Sequence, residues 1–114
     1  MKHGLGIKKA LSIGFDEALV RVPDALKQEG FGVLTEIDVQ DTLKKKLGVE
    51  FRRYRILGAC NPTLSHEALG QTLNAGVLMP CNVVIYEDDD KRAVVIAADP
   101  MQTAAPDESL ALAE

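Results

Sequence analysis

The chain has 114 residues, 46% hydrophobic and 26% charged, which is the size of one domain and the composition of an ordinary globular one. A net charge of −4 and a pI near 5.2 argue against general nucleic-acid binding. A mean hydropathy of +0.00, with no apolar run approaching the roughly 18–20 residues of a spanning helix and no apolar leader core in the first ten residues, argues against a membrane protein and leads us to expect a cytoplasmic one, whose two cysteines stay reduced.

In chain order, residues 5–13 read as a strand, with Ile7, Leu11 and Ile13 apolar and the lysine pair Lys8 and Lys9 interrupting the alternation. Residues 15–29 read as a helix, because Leu19, Val22 and Leu26 recur at spacings of three and four and share one face with Phe15 and Ala18. Gly30 is its stop signal. Pro23 lies inside it, lacks an N–H for the Leu19 carbonyl, and predicts a kink or two short helices. Residues 32–39 alternate cleanly as a strand. Asp38 or Gln40 then opens a short helix through Lys46, anchored by Leu43 and Leu47 and ended by Gly48.

Residues 54–60 form a third strand, with Tyr54, Ile56, Gly58 and Cys60 on one face and Leu57 and Ala59 on the other. Asn61-Pro62 breaks it. Thr63 or Ser65 is then read as the cap of a helix to about Leu73, its buried side formed by Leu64, Ala68 and Leu69, and residues 74–76 end it. Residues 77–79 and 81–87 read as extended around Pro80. The polar turn 88–91 returns the chain as a partner strand over 92–98, so 81–98 is a hairpin. Residues 107–113 form a helical stub of under three turns. The sum is a single α+β domain over 1–114: a curved, mostly antiparallel sheet with helices covering one face.

Several segments together resemble one family. These are EGFGVLTEID at 29–38, ILGACNP at 56–62, SHEAL at 65–69, LMPCNVV at 78–84 and ADP at 98–100. Over about residues 15–100 the chain resembles the domain-of-unknown-function 302 family. The resemblance implies an α+β domain with a strongly curved antiparallel sheet, often a dimer, and it supplies no reaction. Family members usually lack a proline at the place of Pro23, and many carry a longer terminal helix. With the chain ending at Glu114, a second subunit is expected to cover part of the sheet.

The chemistry-bearing residues are few. Cys60, His66 and Cys81 combine two thiols with an imidazole, the side chains of soft-metal ligation and of nucleophile–base pairs. Both cysteines sit in Cys-Asn turns (Cys60-Asn61-Pro62 and Pro80-Cys81-Asn82), so the two turns are expected to meet. Asn61 and Asn82 would then cap backbone groups or hydrogen-bond a ligand. The spacing C-x5-H-x14-C is not a zinc pattern, and the plain reading of buried cysteine is a small hydrophobe. Glu36 and Asp38 leave one face of a strand, which suits acid–base work, although Asp38 serves equally as a helix cap. Six basic side chains lie between Lys44 and Arg55 against Glu50 alone. They fit a phosphorylated ligand, or simply a solvated helix end. Gly30-Phe31-Gly32 is no dinucleotide loop, His66-Glu67 lacks a second histidine at metalloprotease spacing, and His3 reads as a terminal surface residue.

The expected function is therefore a non-catalytic homodimeric binding module with no nucleic-acid or membrane partner. Cys60, Asn61, His66, Cys81 and Asn82 are its expected ligand site, with Cys60, His66 and Cys81 as metal ligands and the cofactor unidentified. The alternative is a thiol-dependent redox or sulfur-handling protein using Cys60, Cys81 or both.

Overall fold

Strand alternation and turn chemistry set the topology of the computed structural model, which describes residues 2–3 and 6–98. In order, the described residues form β1 (Lys2–His3), β2 (Gly6–Ala10), α1 (Phe15–Gln28), β3 (Gly32–Asp38), α2 (Val39–Leu47), β4 (Tyr54–Cys60) and α3 (Pro62–Gln71). A 3-10 segment (Leu73–Leu78), β5 (Cys81–Glu87) and β6 (Ala93–Ala98) follow. One sheet contains all six strands in the order β1-β2-β6-β5-β4-β3. Every pairing is antiparallel, and the sheet is open, with β1 and β3 at its edges. The α+β class is as the sequence implies. The expected stub over 107–113 lies outside the described residues.

The core lies where the alternation puts it. Leu57 and Ala59 of β4, Val83 and Ile85 of β5, and Ala93 of β6 are buried against Phe15 and Ala18 of α1. Leu19, Val22 and Leu26 extend the same stripe, partly buried on the sheet. That stripe stays in phase on both sides of Pro23, and α1 runs as one helix through the proline rather than as two. Packing of an amphipathic face outweighs one missing backbone hydrogen bond here. The hairpin forms as read. Its turn is held by Asp88, whose Oδ1 accepts from the N–H groups of Asp90 and Arg92 at 2.9 Å each.

Three local readings are corrected. The N-terminal strand ends at Ala10, and a two-residue β1 precedes it. The cap of α3 is Asn61, with Pro62 in the first turn, so Ser65 is inside the helix. Asn-Pro is here a helix start, because a proline in the first turn forfeits only an N–H that has no partner anyway. Residues 77–78 belong to the 3-10 segment and are not extended. Thr72 accounts for that segment: its Oγ1 accepts from the Asn74 N–H at 3.1 Å, which starts the tight turn.

Candidate functional site

β4 pairs with β5 so that Ala59 stands opposite Cys81. The turn leaving β4 and the turn entering β5 therefore lie side by side, as the paired Cys-Asn sequences imply. Between them, α3 and the 3-10 segment bound a cavity of about 250 Å³. Its walls are carbon and sulfur for the most part: Phe31, Leu64, Ala68, Leu78 and Pro80, with Cys60, Met79 and Cys81.

Local chemistry fixes each wall. Asn61 Oδ1 accepts from the Leu64 N–H at 3.1 Å, and the Asn61 carbonyl accepts from the Ser65 N–H at 2.8 Å. This cap starts α3 at the cavity mouth. Cys60 precedes the cap and Ser65 lies in the first turns after it, the two positions that an apolar staple usually joins. Here a polar contact joins them, with Cys60 Sγ 2.8 Å from Ser65 Oγ.

On the opposite wall, α1 ends in a reversed double hydrogen bond. The Phe31 N–H donates to the Leu26 carbonyl at 2.8 Å and the Gly30 N–H to the Lys27 carbonyl at 3.0 Å. That closure needs a left-handed residue, and Gly30 supplies φ +88°. It delivers Phe31 to the cavity. A Cβ at Gly30 would lie 3.0 Å from Asn61 Nδ2, so the end of α1 and the cap of α3 abut. The floor depends on Gly58, where a Cβ would fall 2.8 Å from Pro80 Cγ and closer still to Thr35 Oγ1. Pro80 can lie over β4 only because position 58 has no side chain.

The expected site residues divide. Cys60, Asn61 and Cys81 come together at the cavity. His66 is exposed on α3 and absent from the lining, and exposed Asn82 is also absent from it. Ligation by Cys60, His66 and Cys81 as a set is therefore not assembled. Among the described residues, no group of three or more His, Cys, Asp or Glu side chains is placed to hold a metal ion. Met79 and Phe31 were missed as lining residues. The first stands two positions before Cys81 in the same turn, and the second directly follows the Gly30 stop signal, which are the signals that would have found them.

Of the other candidates, Arg52, Arg53 and Arg55 lie at the far end of β4 and each meets a carboxylate. Arg55 binds Glu36 and reaches Asp38 at 3.3 Å. Asp38 Oδ1 also accepts from the Asp41 N–H at 2.9 Å, capping α2. The carboxylate pair thus serves a clamp and a cap. Arg52 meets Asp89 at 3.3 Å, and Lys45 meets Asp41 at 3.0 Å. Arg53 pairs with Asp16 and lies over the Phe15 ring, 4.5 Å from its centroid. The Arg53 hydrogen bond holds the Asp16 carboxyl below its ordinary value, and Asp16 in turn raises Arg53. Two hollows at this end, of about 310 and 340 Å³, are lined largely by charged side chains of both signs.

No helix among the described residues is long and apolar enough to cross a membrane. No curated protein matches the chain. The fold is similar to the crystal structure of an uncharacterized conserved protein DUF302 from Bacillus stearothermophilus. The TM-score is 0.83 at 30% identity, over 95% of this chain and 84% of that one. The model of the domain of unknown function DUF302 matches residues 7–114. With its segments, its sheet and its fold all in agreement, the chain belongs to the DUF302 family.

Proposed function

We propose that the protein is a non-catalytic binding module that takes a small, weakly polar ligand into the cavity beside β4, β5 and α3. The observation that carries this reading is the lining. Ligand sites are concave and mostly apolar, with few polar groups, and this cavity is walled by aliphatic, aromatic and sulfur-bearing side chains. The Asn61 side-chain oxygen is already engaged by the α3 cap. Leu64 (57% exposed), Val77 (78%) and Leu78 (47%) add apolar surface around the same elements, more than a lone surface residue requires.

The test is a melting-temperature screen with small apolar and amphiphilic compounds. A ligand that binds only the folded state at about a hundred times its Kd adds about 2.7 kcal/mol of stability. The reading expects at least one compound to raise the melting temperature of the wild type and not that of Ala68→Trp, whose indole would fill the cavity. No shift with any compound would overturn it.

The module acts as a homodimer in this reading. The sheet face opposite α1 carries Ile56, Val84 and Ile96, all half-buried, and Ile37 at 49% exposure. A second copy of that face would cover these side chains as one symmetric interface does. Light scattering on Ile96→Glu checks it: the wild type should run at twice the chain mass and the variant at one, and a wild-type monomer would contradict it.

A further inference from the structure

We infer that the cavity selects an uncharged molecule carrying one carbonyl oxygen, and that the Asn61 side-chain amide donates the hydrogen bond that holds it. The inference rests on the reading of the cavity as the binding site and names the class of ligand for it.

The walls exclude charge. None of the lining residues is charged, and an ion buried without a partner is costly. Between Arg55 and Lys91 the chain has no lysine or arginine, and that span supplies every lining residue except Phe31. Lys27, four positions before Phe31, is exposed and outside the lining, as are His66 and Glu67. The start of α3 offers an anion little. Pro62 has no N–H, and the N–H groups of Leu64 and Ser65 are taken by Asn61 Oδ1 and the Asn61 carbonyl. Thr63 lies outside the lining.

The polar capacity that remains is a donor. Ser65 Oγ and Cys60 Sγ, 2.8 Å apart, engage each other. Asn61 brings one amide oxygen and an NH₂ group with two donors. The oxygen is held by the α3 cap, which fixes the orientation of the amide, and Nδ2 has no hydrogen-bond partner among the described residues. Gly30 leaves it uncovered, since a Cβ there would lie 3.0 Å from Nδ2. The complement of an unengaged donor beside apolar walls is an acceptor without charge, the carbonyl of a ketone or an ester. Volume sets the size. An apolar void of about 150 Å³ takes benzene, so about 250 Å³ takes one ring or short chain bearing such a group.

The experiment is calorimetric titration of the full chain with acetophenone, cumene and benzoate, molecules of nearly one shape that carry a carbonyl, a hydrocarbon and a carboxylate. The wild type should bind acetophenone and cumene saturably, and benzoate at least about tenfold more weakly than acetophenone. Asn61→Asp keeps a good helix cap and removes the donor. It should weaken acetophenone by about fivefold and leave cumene unchanged. The carbonyl stretch of bound acetophenone should lie lower in the wild type than in Asn61→Asp, a shift that a purely structural role for Asn61 would not produce. If the variant does not fold, the wild-type stretch compared with acetophenone in hexane decides the same point. A bound carbonyl that vibrates as it does in hexane, or a variant that does not weaken acetophenone selectively, would overturn the role of Asn61. Benzoate binding as tightly as acetophenone would overturn the selection against charge. In either case saturable cumene binding leaves the reading of the cavity standing. If none of the three binds, that reading falls as well.

Discussion

The two ends of β4 carry the two strongest chemical signals of the sequence and dispose of them differently. At the Tyr54 end, Arg52, Arg53 and Arg55 find Asp89, Asp16, and Glu36 with Asp38. Long flexible cations and nearby carboxylates neutralise each other across the sheet, and the ends of β3, α1 and the hairpin turn are tied together. At the Cys60 end, two thiols and a thioether face a cavity whose walls give them little but Ser65 to bond. Charge attracts its complement within one chain, whereas sulfur in apolar surroundings does not. A paired charged cluster therefore reads as architecture, and the ligand site we propose lies at the opposite, apolar end.

The largest expected effect lies between the ends, in the core both depend on. Leu57→Ala, at a side chain 1% exposed, should cost about 2–5 kcal/mol in urea unfolding. A smaller loss would mean that α1 does not clamp the two ends through this residue. Gly58→Ala sharpens the contrast by acting on the cavity end. Its methyl group collides with Pro80 and Thr35, and overpacking of this kind costs about 1–3 kcal/mol. The loss should appear together with weakened ligand response, while Arg55 and its partners on β3 stay in place by NMR. Asn61→Ala should cost about 1 kcal/mol, with hydrogen exchange quickening in α3 first.

The smallest effect belongs to the charged end. Arg53 lowers the Asp16 carboxyl from its ordinary value of 3.8. A carboxyl with a depressed folded-state pKa stabilises the fold fully above its ordinary value, and that stability is lost as the pH falls through the lowered one. The wild type should therefore melt higher than Asp16→Asn at neutral pH, and the gap should close on acidification below about pH 4 and in high salt. A gap that widens in acid would contradict the assignment.

Much of the frame was legible because it follows from short-range rules. The bounds of β4, the Gly48 end of α2 with φ +67°, and the 81–98 hairpin all follow from alternation and turn residues. The continuity of α1 through Pro23 was not, because tertiary packing of Leu19, Val22 and Leu26 decides it. The meeting of the two Cys-Asn turns could be inferred from their repetition. That His66 would be exposed and outside the cavity lining could not, because it depends on where α3 starts. A cap at Asn61 instead of Thr63 or Ser65 shifts the helical phase of every later residue. Met79 escaped notice because a thioether two positions from a thiol looks like ordinary core packing.

The central claim is that the cavity between β4, β5 and α3 is the binding site. Fluorescence titration of wild type and Ala68→Trp with a polarity-sensitive apolar dye, at matched melting temperatures, tests it most directly. The account predicts saturable binding by the wild type that the filled variant loses. Equal binding by both proteins would contradict it.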